Sequence, residues 1–282
     1  MLATILSDNE LNTFFTKGFL KINDFVPPDL LKKLCHFFER EMTVDIDIPG
    51  KASHINKGKK YVTNLDNICN NTDLSCLELL GFPPILQLAQ QICGDDFFLI
   101  QEFAVMKNLG DELPVLWHLD MLHERKGKCF TMGIYLDDAN EGDGALRIVP
   151  QSHVSNKTIC ELSKEPSIEV PMKAGGILIH DMMLAHSSTP LVKNNIRRVI
   201  YFEFLSAAHV KEENIYTDEL VQRRTRLLFA ATIHYKNIHS TSPQFKLTKE
   251  DIFGDADKTV EEILQEVYAA YINARPSTYC FE

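Results

Sequence analysis

The chain has 282 residues, of which 45% are hydrophobic, 24% charged and 9% aromatic, an ordinary globular composition with enough apolar material for a sizeable core. A formal net charge of −10 and a pI near 5.5 give no strong basic field to offset phosphate charge, so neither nucleic acid nor a membrane surface is expected as a partner. No apolar run approaches the length of a membrane span, and the opening MLATILSDNEL lacks the basic stretch of a secretory signal. Seven cysteines, an odd number without CxxC spacing, indicate neither a disulfide framework nor a zinc knuckle, and a reducing, cytoplasmic setting is expected.

Ser7 and Glu10 have capping-box spacing, Leu11, Phe14 and Phe15 form an apolar stripe, and Gly18 ends this first helix. Phe19 to Ile22 reads as a strand. Pro27 and Pro28 open a second helix whose Leu30, Leu31, Leu34, Phe37 and Phe38 recur at helical spacing and belong in a core. Residues 44–76 are polar, with Gly50, Gly58 and many Asn, and read as a long loop or lid. In it Lys57, Lys59 and Lys60 either meet an anionic ligand or form a solvated face, and Tyr61 and Asn64 share that ambiguity.

A helix over Ile85 to Cys93 ends at Gly94. Strands follow at Phe97 to Lys107, Val115 to Asp120, Cys129 to Leu136, Ala145 to Val149, Ile177 to His180 and Arg197 to Phe204. Residues 209–245 elaborate the core, and Thr259 to Ala274 reads as an amphipathic helix with Ile263, Val267, Ala270 and Tyr271 on one side. Nothing repeats. The pattern predicts one mainly β domain with flanking α-helices over 1–282. It comprises a helical buttress at about 1–96, a jelly-roll core at about 97–206 and a C-terminal elaboration at about 207–282.

The chemistry sits in the core. On an extended strand His118 and Asp120, two apart, share one face, so a single strand offers an imidazole and a carboxylate. His186 or His180, from later strands, would complete two nitrogens and one oxygen, a set that suits non-haem Fe(II) with open positions. Arg197 and Arg198 alternate across a strand, so only one can face the same cavity; its planar guanidinium would match a carboxylate bidentately. Gly133, inside a strand, either makes room for a ligand or marks a bulge. His123 follows the HxD as a loop residue or substrate contact, and His153 reads as a structural residue bonding across a turn.

The segment from about Phe98 to Leu205 resembles the phytanoyl-CoA dioxygenase family of Fe(II)/2-oxoglutarate oxygenases. Its motifs are Trp117 to Asp120 (WHLD), Pro150 to His153 (PQSH) after the Gly-rich turn Asp137 to Leu146, His186 to Ser188 (HSS), and Arg197 with Arg198. Two positions depart from the family pattern, Leu119 between the ligands and Gln151 in PQSH, and neither removes a ligand. The resemblance implies a cupin-like double-stranded β-helix with Fe(II) on His118, Asp120 and His186. It also implies 2-oxoglutarate held at its far carboxylate by Arg197 with help from Ser188, and O2 as oxidant. His186 and Arg197 are preferred on the family spacing. The expected activity is hydroxylation of an aliphatic carbon of a small metabolite with release of succinate and CO2. Lys60, Tyr61, His123 and Gly133 are candidate contacts to substrate or co-substrate. A cupin-like metalloenzyme that is not an oxygenase, or an inactive jelly-roll binding module, are the alternatives.

Overall fold

The computed structural model describes residues 4–43, 49–121, 128–248, 254–255, 257–270 and 278–281. In chain order the elements are α1 (Asp8–Lys17), β1 (Phe19–Ile22), α2 (Pro28–Thr43), β2 (Lys51–Asn56), β3 (Lys59–Asp66), α3 (Ser75–Leu80) and α4 (Pro83–Cys93). Then come β4 (Phe97–Asn108), β5 (Val115–Leu119), β6 (Cys129–Tyr135), β7 (Leu146–Ile148), α5 (Ile159–Leu162), β8 (Ile168–Val170), β9 (Ile177–His180), β10 (His186–Ser188) and β11 (Ile196–Ser206). The chain closes with α6 (Ala207–Glu213), α7 (Asp218–Ile238), α8 (Val260–Val267) and β12 (Thr278–Tyr279).

Two antiparallel sheets form a jelly roll. One has the order β1-β9-β6-β11-β4-β3-β2 and the other β12-β5-β10-β7-β8. Strand alternation sends Tyr135, Leu178, Val199 and Tyr201 of the larger sheet inward, where they meet Leu146, Ile148 and Val170 of the smaller one. The opposite face, with Met132, Ile179, Ile200, Phe202 and Phe204, is covered by the apolar stripes of the helices, among them Phe14, Leu34, Phe37, Ile85, Leu227 and Ile263. The central strands of the large sheet are therefore covered on both faces, and β6 and β11 are buried almost throughout.

The expected N-terminal cap is present: Ser7 accepts from the Glu10 backbone, Glu10 reaches back to the Ser7 amide at 2.8 Å, and Gly18 closes α1 in the left-handed region. Three expectations are corrected. Residues 51–66 form a β-hairpin, not a loop or lid; Lys57 and Gly58, at φ 50° and 79°, supply a two-residue turn between paired Asn56 and Lys59, and Ser75–Leu80 adds α3. The C-terminal helix is shorter than expected, running Val260–Val267 from a Thr259 capping box, with 271–274 outside the described residues. Cys160 and Cys280 are disulfide-bonded across 120 residues, because β12 returns to β5 beside α5; the other five cysteines form no disulfide.

A second buried feature ties the C-terminal helices to the sheet. Arg224 of α7 donates from Nε to the Leu99 carbonyl at 3.0 Å and pairs with Glu102 of β4, which also accepts from the Tyr268 hydroxyl. Arg224 and Glu102 are both buried, so each charge depends on the other.

Candidate metal centre

β5 and β10 are hydrogen-bonded neighbours with His118 opposite His186, and this register brings together two imidazoles far apart in sequence. Each ring is fixed in the same way. His118 Nδ1 lies 2.8 Å from the Leu116 carbonyl and His186 Nδ1 lies 2.8 Å from the Leu184 carbonyl. A carbonyl only accepts, so Nδ1 carries a proton in both rings and Nε2 is the atom left to face a metal. Both Nε2 atoms point to the same oxygen, Asp120 Oδ1, at 3.5 Å each. One ligand atom from each of the three residues lies within 4.8 Å of the others, a geometry able to hold a metal ion.

The carboxylate is oriented from behind. The Thr131 hydroxyl donates to Asp120 Oδ2 at 2.7 Å, leaving Oδ1 for the two rings. Burial opposes a charge on Asp120, but His186, His118 and His180 around it outweigh burial and hold the carboxyl well below its usual range. Burial pushes His186 down to about 3, with the neighbouring His118 acting in the same direction, so its imidazole is neutral and able to ligate at neutral pH.

His180, the rival third imidazole, sits on β9 in the other sheet. Its Nδ1 is 3.8 Å from Asp120 Oδ2 and 3.2 Å from the Asp181 carbonyl. It therefore approaches the oxygen that Thr131 occupies rather than the one the other two rings share. His180 Nε2 is buried without a partner.

The arginine pair divides as strand alternation requires. Arg197 enters the space between the sheets, donating from Nη1 to the Gly144 carbonyl at 3.1 Å and from Nη2 to the Tyr201 hydroxyl at 3.3 Å, while its Nε has no partner. Arg198 points to the helical side, making paired 2.8 Å bonds to Asp137 and a 3.1 Å bond to the Cys35 carbonyl. A cavity of about 60 Å³ is lined by His118, Asp120, His186, Ser188 and Arg197, so all five share one space. A second cavity of about 320 Å³ is lined by His118 and Asp120 too and extends past Thr63, Asn64, Gln101, Glu203 and Tyr279.

The remaining expected contacts fall elsewhere. Lys60 is exposed and Tyr61 packs under the Lys59 ammonium, 4.9 Å from the ring centre; neither lines the two cavities at the metal centre, because the bulged strand β3 instead turns Thr63 and Asn64 inward. Gly133 makes room for a side chain rather than a ligand, since a Cβ there would lie 3.1 Å from the Tyr201 ring and 3.3 Å from Val199. His123 lies outside the described residues. His153 bonds not across a turn, as expected, but to α1, with Nε2 3.1 Å from the Phe15 carbonyl.

Four participants were not anticipated. Thr131 was hidden inside a strand read only for its apolar residues. Lys107, buried at the end of β4, donates to the carbonyls of Leu113, Ser188 and Thr189 at 3.0, 3.2 and 2.8 Å, so it anchors the backbone that carries Ser188. Burial, and then the nearby Arg197 charge, lower Lys107 to about 7. Gln101, opposite Glu203 across β4 and β11, has a buried Oε1 with no partner. Tyr279 arrives from the C-terminus and stacks on His118, and no spacing rule connects the two.

Comparisons with known proteins support the fold and the family. The family model of phytanoyl-CoA dioxygenase (PhyH) matches residues 14–199. L-proline trans-4-hydroxylase of Streptomyces griseoviridis is 28% identical over 90 residues, 30% of this chain, and the chain spans about a third of that curated relative's length (34%). Among solved structures, AviO1 from Streptomyces viridochromogenes superposes with a TM-score of 0.65 at 23% identity, covering 74% of this chain and 98% of that one. EctD from S. alaskensis, solved with 2-oxoglutarate and 5-hydroxyectoine, gives a TM-score of 0.62 at 16% identity over 73% of this chain and 78% of its own.

Proposed function

Because the chain belongs to the phytanoyl-CoA dioxygenase (PhyH) family, we propose that it is an Fe(II)- and 2-oxoglutarate-dependent dioxygenase that hydroxylates a carbon of a small metabolite. Residues 1–282 act in this reading as one catalytic unit. The observation that carries it is the convergence of His118 Nε2, His186 Nε2 and Asp120 Oδ1 in the same cavity as the buried guanidinium of Arg197. A metalloenzyme that is not an oxygenase would have no need of that cation.

The donor set fits the metal: two imidazoles and one ionised carboxylate occupy one side, and the cavity opens on the other. Arg197 fits the co-substrate, since its Nε is an orphan donor on a buried cation and a carboxylate would satisfy both. When bound, ferrous iron with 2-oxoglutarate and O2 supplies the oxidising chemistry, splitting the oxo acid to succinate and CO2 as one oxygen atom enters a C–H bond.

The chain's own task is to position. The Leu116 and Leu184 carbonyls hold the imidazole tautomers, Thr131 turns the carboxylate, and Lys107 fixes the backbone of Ser188 so that Ser188 and Arg197 line one wall. Phe103 and Val105 keep that wall dry, which strengthens the Arg197 interaction with a carboxylate. The larger cavity takes the substrate. Gln101 Oε1, a buried acceptor with nothing to accept, favours a substrate that offers an N–H or O–H group there.

The test is succinate release from 2-oxoglutarate in air by the ferrous protein. Release that disappears in Asp120→Ala supports the reading. A protein that retains iron yet yields no succinate points to non-oxygenase metal chemistry, and one that retains no iron points to a binding module.

A further inference from the structure

β12 is only two residues long, yet it completes the metal-bearing sheet. Thr278 pairs with Leu119 and Tyr279 with His118, and the Cys280 amide donates to the Trp117 carbonyl at 2.9 Å. Without it β5, the strand that carries His118, would be a sheet edge. A strand of two residues contributes few hydrogen bonds and opens readily unless something ties it down.

The tie is covalent. Cys280 is joined to Cys160 of α5, with Cα atoms 5.0 Å apart. α5 is itself well anchored: Thr158 and Glu161 cap it reciprocally, and Ile159 and Leu162 pack with Val149, Ala185 and Cys280.

What the tie holds in place is an aromatic ring on a metal-site histidine. The Tyr279 ring stacks on the His118 imidazole with centroids 5.0 Å apart and planes 20° apart, while His186 lies 4.1 Å from the same imidazole. Tyr279 also forms part of the wall of the 320 Å³ cavity. The His118 ring is thus held by the Leu116 carbonyl at Nδ1, by His186 and by Tyr279.

We propose that Tyr279 is a positioning residue for His118 and that the Cys160–Cys280 disulfide is the latch that keeps it there, so that metal retention is sensitive to reductants. The inference rests on the metal-centre reading above. In the reducing step a dithiol attacks the bond: the S–S link breaks, each cysteine sulfur leaves as a thiol with one electron and one proton, and the dithiol closes to its own disulfide.

The experiment uses the full chain, with manganous ion as the metal probe and a trialkylphosphine as the reductant, its phosphorus taking oxygen from water. Reduced wild type, a Cys160→Ser/Cys280→Ser double variant and Tyr279→Ala are each expected to bind Mn(II) about tenfold more weakly than the oxidised protein. Tyr279→Phe, which keeps the ring, is expected to stay within about twofold. Hydrogen exchange at the Cys280 amide in metal-free protein is expected to accelerate on reduction and in the double variant. Unchanged affinity in Tyr279→Ala overturns the positioning role. Unchanged exchange and affinity after reduction, or peptide mapping that finds both thiols free in air-purified protein, overturns the latch. A wild type that binds no Mn(II) removes the metal-centre reading together with the role of Tyr279, whereas the exchange measurement judges the latch independently.

Discussion

Replacing Arg197 by Met should separate binding from stability. Arg197 is a buried cation whose described partners are neutral, the Gly144 carbonyl and the Tyr201 hydroxyl, and its Nε has none. A desolvated charge without a counter-ion is a cost to the fold that the 2-oxoglutarate carboxylate would offset. Two charge-assisted bonds at about 1.5–3 kcal/mol each give about 3–6 kcal/mol, a loss of roughly two to four orders of magnitude in 2-oxoglutarate affinity. Unliganded Arg197→Met, in contrast, should melt at the wild-type temperature or a few degrees above it, since it removes an unsatisfied charge of similar volume. Arg198→Met is the mirror image: it leaves Asp137, about one fifth exposed, without its paired bonds and should lose stability toward the lower end of roughly 3–5 kcal/mol while keeping co-substrate affinity. The assay is thermal melting of both variants, with a redox-inert divalent metal present, across a 2-oxoglutarate series; saturation at about 100 Kd is worth about 2.7 kcal/mol to wild type. A persistent ligand shift in Arg197→Met, or its loss in a folded Arg198→Met, would refute the assignment.

Thr131→Ala frees Asp120 Oδ2 and should weaken metal binding about tenfold, measured by equilibrium dialysis, with Thr131→Ser restoring it. Acid should destabilise the metal-free protein. His186 titrates near 3 when folded but near its ordinary value when unfolded, so below about 6.5 the unfolded chain takes up a proton that the folded chain refuses. Stability then falls by up to about 1.4 kcal/mol per pH unit between those limits, a slope that urea titrations should find diminished in His186→Gln. Glu102→Ala strands the Arg224 charge between α7 and β4 and should lose roughly 3–5 kcal/mol in the same titration without altering the metal-site residues.

How much of this was legible in the sequence depended on whether a local rule could decide. HxD on a strand fixes a shared face for His118 and Asp120 by alternation alone. Alternation could not choose between His180 and His186, and the family spacing favoured His186; both are buried near Asp120 and differ in which carboxylate oxygen they face. Alternation separated Arg197 from Arg198 but could not say which turned inward, because helices cover the outer face and both faces of β11 are apolar. The hairpin at 51–66 escaped detection because β2 and the start of β3, Lys59 and Lys60, are polar and lie at the surface, although Gly58 marked its turn. The disulfide escaped because spacing carries no information on connectivity across 120 residues, and with it went Tyr279, which that bond brings to the centre.

Anaerobic titration with ferrous ion tests the convergence of the three side chains most directly. The expected result is one equivalent bound per chain, lost in His118→Ala, Asp120→Ala and His186→Ala and kept in His180→Ala. A wild type that takes up no iron, or a site that survives removal of His186 and disappears with His180, would contradict it.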